Sequence, residues 1–134
     1  MMAEPDSLLR DDELLHRQVH PNFLKGDGTL MSSAFKPTPK DESKLSTTRD
    51  DLLDAAASYA WYQDAVGESA GTWSVSNQEA ASAEVEVIVD GGQGELHEAH
   101  VSLSFEGKTR SQSERTARQL RDCATTRGRQ HPES

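Results

Sequence analysis

The chain has 134 residues, 34% of them apolar and 28% charged, with a net charge of -9 at pH 7. That length suits one domain with one modest core, and no apolar run approaches the roughly 18–20 residues a membrane span needs. The lone cysteine, Cys123, excludes an internal disulfide, and the acidic opening MMAEPDSLLRDDELL lacks the basic and apolar regions of a secretory signal, so the expected compartment is the cytoplasm.

Taken in chain order, residues 1–11 show no periodicity and are expected to fray, ahead of a single domain over 12–128. Residues 13–20 predict a first strand, with Leu15, Arg17 and Val19 on one face and Leu14, His16, Gln18 and His20 on the other. Pro21 closes it, because it cannot donate to a ladder and keeps His20 extended. Lys25-Gly-Asp-Gly28 is a turn by composition, and residues 32–35 form a short extended piece. Residues 36–44 carry two prolines among polar neighbours and predict a stiff exposed loop. Thr48 is the expected N-cap of a helix over 51–66, with Asp50 and Asp51 placed to favour its dipole. Leu52, Ala55, Ala56, Tyr59, Tyr62 and Val66 fall on the side expected to be buried, and Trp61 falls opposite them beside Asp54 and Asp64.

Residues 72–76 predict a strand, and Ser76 with Glu79 stands at capping-box spacing for a short helix over 77–82. Val85, Val87 and Val89 share one face of a strand over 84–89. Asp90-Gly-Gly-Gln-Gly94 supplies turn chemistry before a strand over 98–105, which points Ala99, Val101, Leu103 and Phe105 inward and His100, Ser102 and Ser104 outward. Ser111 and Glu114 predict the opening of a last helix that reaches Arg127 and stops at Gly128; Ala117, Leu120 and Ala124 form its apolar stripe. Residues 129–134 are expected to be a loose tail. The order of elements predicts an α+β fold: a mainly antiparallel sheet of four to five strands, two main helices packed on one face, and the other face wet.

Charge is segregated. Residues 1–49 hold seven basic and eight acidic side chains, residues 50–107 hold twelve acidic and no lysine or arginine, and residues 108–134 hold seven basic and three acidic. The bland account is that a basic terminal helix offsets an acidic body. The sharper one is that Arg115, Arg118 and Arg121 meet an acidic partner or a nucleic-acid backbone.

No P-loop, G-x-G-x-x-G, C-x-x-C, H-E-x-x-H or G-x-S-x-G motif is present, and nothing in the sequence calls for a cofactor. One constellation joins Arg17 and His20 to the loop that carries Lys40, Asp41 and Glu42. An arginine can clamp a phosphate and a histidine can move a proton at neutral pH. Its structural counterpart is an ion pair from Arg17 to Asp41 or Glu42 that pins the loop to the first strand. His97 and His100, flanked by Glu95 and Glu98, lie three apart on a strand and so point to opposite faces, a poor chelate for a metal. Cys123 beside the terminal arginines is either a half-buried helix residue or a thiol of lowered pKa.

At Arg17-Gln-Val-His-Pro21, Ser33-Ala-Phe35, Pro37-Thr-Pro-Lys-Asp-Glu42 and Leu45-Ser46 the chain resembles a set of small uncharacterised prokaryotic proteins sharing R-x-x-H-P, S-x-A-F, P-T-P-K-D-E and L-S motifs. The resemblance covers residues 14–50 and implies that Arg17, His20, Ser33, Lys40, Asp41 and Glu42 belong to the working surface. An arginine on a first strand followed by a Leu-Ser step is also similar to ADP-ribosyl-transfer folds, whose later catalytic glutamate has no counterpart placed here. Two functions stay open: an accessory module that binds a protein partner, and a small enzyme or binding protein for a nucleotide-like or phosphorylated compound. In the second, Arg17 would hold the phosphate, His20 would act as acid or base, and Lys40 would add charge at the rim.

Overall fold

Alternating side chains build a single antiparallel sheet in a computed structural model that describes residues 9–37 and 43–132. Among these residues the elements are β1 (Leu14–Val19), β2 (Lys44–Arg49), α1 (Ala55–Ala65), β3 (Gly71–Ser76), α2 (Asn77–Ser82), β4 (Glu86–Val89), β5 (His100–Ser104) and α3 (Arg110–Arg127). Single 3-10 turns occupy Pro21–Phe23 and Ser32–Phe35, the second of these in place of the expected extended piece. The strands lie in the order β3-β1-β2-β5-β4, and each neighbouring pair runs antiparallel. The α+β class and antiparallel sheet are those the alternation predicts.

The two faces of the sheet have opposite chemistry. Leu15, Val19, Leu45, Val75, Val101 and Leu103 point to one side and join Phe35, Ala117, Leu120 and Ala124 in the apolar core. The small residues of the α3 stripe let that helix approach closely, and Leu120 is fully buried between them. On the other side the ladder aligns Thr48 with His100 and His16, and His16 with Ser74, so polar side chains form a row across four strands. Ser46 apart, this face is largely covered instead of wet: His16, Gln18, Thr48, Thr72, Ser74, His100 and Ser102 are all buried. Such groups can be buried only because they bond to one another.

The two long helices therefore divide between the faces. α3 lies on the apolar side, whereas α1 sits over the polar side through Ser58, its one buried residue. The Ser58 hydroxyl bonds Thr48 Oγ1 at 2.8 Å and accepts from Gln18 Nε2 at 3.0 Å. Alanine-rich α1 has no wide apolar stripe to place on the core, so hydrogen bonds dock it instead. It begins after Asp54, which caps Ala57 N, and not at Thr48. Thr48 belongs to β2, where the β-branched pair Thr47 and Thr48 suits an extended backbone. Leu52 and Val66, expected inside a longer helix, flank the real one and stand exposed at 47% and 57%.

The capping box at Ser76 and Glu79 makes both of its hydrogen bonds and opens α2 where the spacing places it. That of α3 is Thr109 with Gln112, two residues ahead of the expected Ser111 with Glu114, and Gly128 ends the helix. One buried ion pair ties the chain ahead of β1 to the end of β2. Arg49 Nε and Nη2 each donate to a carboxylate oxygen of Glu13 at 2.9 Å, and Asp51 N donates to Glu13 as well.

Residues 129–132 are held along the outer edge of β3. Thr72 N donates to His131 O at 2.7 Å, Gln130 N donates to Thr72 O at 2.8 Å, and the His131 ring packs on Tyr59 with centroids 4.9 Å apart. The close approach requires Gly71, whose φ is 153°: an added Cβ would sit 2.7 Å from Arg129 Cδ. The tail expected to be loose is a strap on the sheet as far as Pro132.

Candidate functional site

A cavity of about 460 Å³ opens above the polar face of the sheet. Its floor is formed by His16, Gln18, Ser46, Thr48 and His100; α1 contributes Trp61 and Tyr62 as a wall, and the connection from β4 to β5 contributes Glu95, Leu96 and His97. That size lies within the usual range for small-molecule sites. The helix and the connection meet where the Trp61 and His97 rings pack edge to face at 4.9 Å, which is why Trp61, off the expected buried side of α1, is half-buried. The connection itself is folded back tightly. Gly91 lies against the Glu98 backbone with no space for a Cβ, and His97 Nδ1 accepts from Ala99 N at 2.9 Å.

Two histidines on the floor each bond a carboxylate and a hydroxyl, with opposite exposures. His16 Nε2 meets Asp50 Oδ1 at 2.8 Å and Nδ1 meets Ser74 Oγ at 2.7 Å. Both ring nitrogens are thus satisfied, Ser74 is fully buried, and burial lowers the His16 pKa from 6.5 despite the nearby Asp50 carboxylate. His100 Nδ1 meets Asp90 Oδ1 at 2.7 Å, and Nε2 meets Ser46 Oγ at 3.1 Å. Asp90 Oδ2 accepts from Ser102 Oγ at 2.6 Å. Here the carboxylate and imidazole are buried at 8% and 7% exposure while Ser46 is exposed in the cavity.

Strand register creates this second arrangement. Ser46 faces Ser102 and Thr48 faces His100 across β2 and β5, so Ser46 and His100 are diagonal neighbours on one face, within reach of an imidazole. Val89 faces Val101, and one step further along each strand brings Asp90 beside His100.

Of the residues singled out by motif, Arg17 also lines the cavity. Arg17 sits on β1 between His16 and Gln18; its Nε donates to Ala34 O at 2.9 Å and its Nη1 to Ser46 O at 3.2 Å, so it ties the second 3-10 turn and β2 to β1. His20 is not among the residues lining the cavity. It caps the first 3-10 turn by accepting from Asn22 N, and its Nε2 lies 3.7 Å from Glu68. Ser33 lies in the second turn, where its carbonyl accepts from Lys36 N. Lys40, Asp41 and Glu42 fall outside the described residues. Arg17 and His20 are therefore not brought into one cleft.

Sequence reasoning met Ser46 only in the Leu-Ser step, His16 only as a neighbour of Arg17 and His20 on the first strand and Asp90 only in a turn, and it weighed His100 only as a metal ligand. The described residues hold no group of three or more metal-ligating side chains. Cys123 is half-buried, and burial pushes its thiol pKa up instead of the neighbouring arginines bringing it down. Arg115 and Arg118 are exposed on α3, whereas Arg121 pairs with Asp122. Among the described residues no helix is long and apolar enough to cross a membrane. No family model matches the chain, and no curated protein or solved structure matches it.

Proposed function

We propose that the protein binds a small organic molecule in the cavity between α1, the β4 to β5 connection and the polar face of the sheet. The observation that carries this reading is the pairing of a floor of hydroxyl and imidazole groups with a wall containing Trp61 and Tyr62. A floor of this kind orients a polar group, and the wall gives flat apolar contact to the rest of the ligand. The compound class is a polar organic molecule instead of the phosphorylated one expected around Arg17, His20 and Lys40, because hydroxyl and imidazole groups outnumber the guanidinium of Arg17 in the cavity lining and His20 is not part of it.

The test is a library of fragment-sized aromatic esters, amides and alcohols followed by NMR of the labelled chain. Expected binders perturb Trp61, His97 and Ser46 together and leave Trp73, buried on the opposite face, unchanged. A library that perturbs none of the cavity residues at millimolar concentration refutes the reading.

A protein-binding role is favoured by one separate observation: Val66 and Leu96, exposed at 57% and 39%, both line this cavity. A partner would then insert an apolar side chain between them. Co-purification lost on Val66→Asp supports that role; a clean monomer at every salt concentration counts against it.

A further inference from the structure

We infer that Ser46, His100 and Asp90 form a nucleophilic triad that hydrolyses an ester seated in the cavity, an inference that rests on the binding reading above. Three features set this group apart from a structural hydrogen-bond chain. The first is order: Asp90 Oδ1 to Nδ1 at 2.7 Å and Nε2 to Ser46 Oγ at 3.1 Å give the imidazole one nitrogen for the carboxylate and the other for the hydroxyl. Such geometry makes the imidazole a general base toward serine and lets the carboxylate hold its tautomer. The second is the exposure gradient, from buried carboxylate to buried imidazole to exposed hydroxyl. The third is the contrast within the same sheet. His16 has an equivalent pair of partners, but its hydroxyl, on Ser74, is fully buried and no substrate can reach it.

Ser102 adds a positioning contact. Its hydroxyl donates to Asp90 Oδ2 at 2.6 Å and holds the second carboxylate oxygen away from the imidazole. Trp61, Val66 and Leu96 line the same cavity as Ser46 and can receive an aryl or alkyl group.

In the first step Ser46 Oγ attacks the ester carbonyl carbon, and its proton passes to His100 Nε2. The tetrahedral intermediate collapses by breaking the bond to the leaving oxygen, which departs as an alcohol or phenol with the proton from Nε2. Water then adds to the acylated Ser46, giving its proton to Nε2. Collapse of that adduct returns the proton to Ser46 Oγ and releases the carboxylic acid. No oxidant or reductant is needed.

The experiment uses the full chain with p-nitrophenyl butyrate, and separately a fluorophosphonate probe followed by peptide mass spectrometry. Wild type is expected to release p-nitrophenol above the buffer rate and to carry the probe on Ser46. Ser46→Ala removes an exposed hydroxyl, so the fold should persist. It should lower hydrolysis about 10³-fold or to the buffer rate and abolish labelling, while p-nitrophenyl butyrate still perturbs Trp61. Asp90→Asn, checked for native circular dichroism, should lower kcat with KM nearly unchanged; His100→Gln serves in its place if that variant fails to fold. Binding of the ester without hydrolysis or an adduct on Ser46 overturns the triad and leaves the binding reading standing. Equal hydrolysis by Ser46→Ala also overturns it. Absence of binding and of hydrolysis overturns both.

Discussion

Replacing Glu13 by Gln should destabilise the protein more than a change of one charge at a surface would. Glu13 is fully buried and Arg49 is 3% exposed, and the two form a bidentate pair with both contacts at 2.9 Å. An exposed pair contributes about 0–1 kcal/mol, whereas removing one partner of a buried pair costs about 3–5 kcal/mol because the other charge is left uncompensated. Two features place this case at the lower end of that range. Gln keeps an acceptor for Asp51 N, and the Asp51 carboxylate lies 3.8 Å from Arg49 Nη2, close enough to retain part of the compensation. The expected loss is about 3 kcal/mol, a large share of the roughly 5–15 kcal/mol that holds a domain folded. At about 3–4 °C per kcal/mol for a domain of this size, Tm should fall by about 10 °C. Urea unfolding of wild type, Glu13→Gln, Arg49→Met and the double variant completes a cycle. The double variant should recover much of the loss, because it leaves no buried charge without its partner. A Glu13→Gln loss below about 1 kcal/mol, or two single effects that simply add, would refute the argument.

Ser58→Ala should cost about 1–3 kcal/mol, since Gln18 and Thr48 lose a shared partner, and amide exchange across residues 55–65 should rise well before that of the sheet. Stability should decline as pH falls below about 6.5, the ordinary value for His16, because burial holds the native pKa lower and the unfolded chain takes the proton first. That loss is absent above 6.5, grows until pH passes the depressed native value, and should flatten in His16→Gln, as read from urea midpoints against pH. Leu120→Ala, at a fully buried position on α3, should cost about 2–5 kcal/mol by calorimetry. Gly91→Ala should push Asp90 off His100 by forcing the Glu98 backbone away, seen as a changed His100 ring signal in NMR.

Elements specified by local chemistry are the ones legible in the sequence. The alternation in residues 13–20 and 98–105, the box at Ser76 and Glu79, and the stripe Ala117, Leu120, Ala124 each depend on neighbours a few residues away, and each gives the expected element. β2 was not legible because Leu45-Ser-Thr-Thr followed by acids also has the form of a helix start. Its strand identity comes from partners on β1 and β5. The site follows the same rule. His100 and Ser102 on the outward face could be read from period two, but Ser46 and His100 are 54 residues apart and meet only through the pairing of β2 with β5. Ser58 was hidden for a different reason. A hydrophobic wheel cannot mark a helix docked by hydrogen bonds.

The strap of residues 129–132 also determines what the sheet can do to other molecules of its kind. An unpaired edge strand is a template for strand addition, and proteins blunt such edges by covering, shortening or charging them. β4, at one end of the sheet, is only four residues long and carries the exposed Glu86. β3, at the other end, is longer, and Thr72 at its border is occupied on both its N–H and its C=O by Gln130 and His131. Release of the strap, by proteolysis after Gly128 or by a bulky residue in place of Gly71, would free this edge without touching the core. The resulting species would be folded yet self-complementary, and its failure would appear as concentration-dependent aggregation instead of a lowered melting temperature.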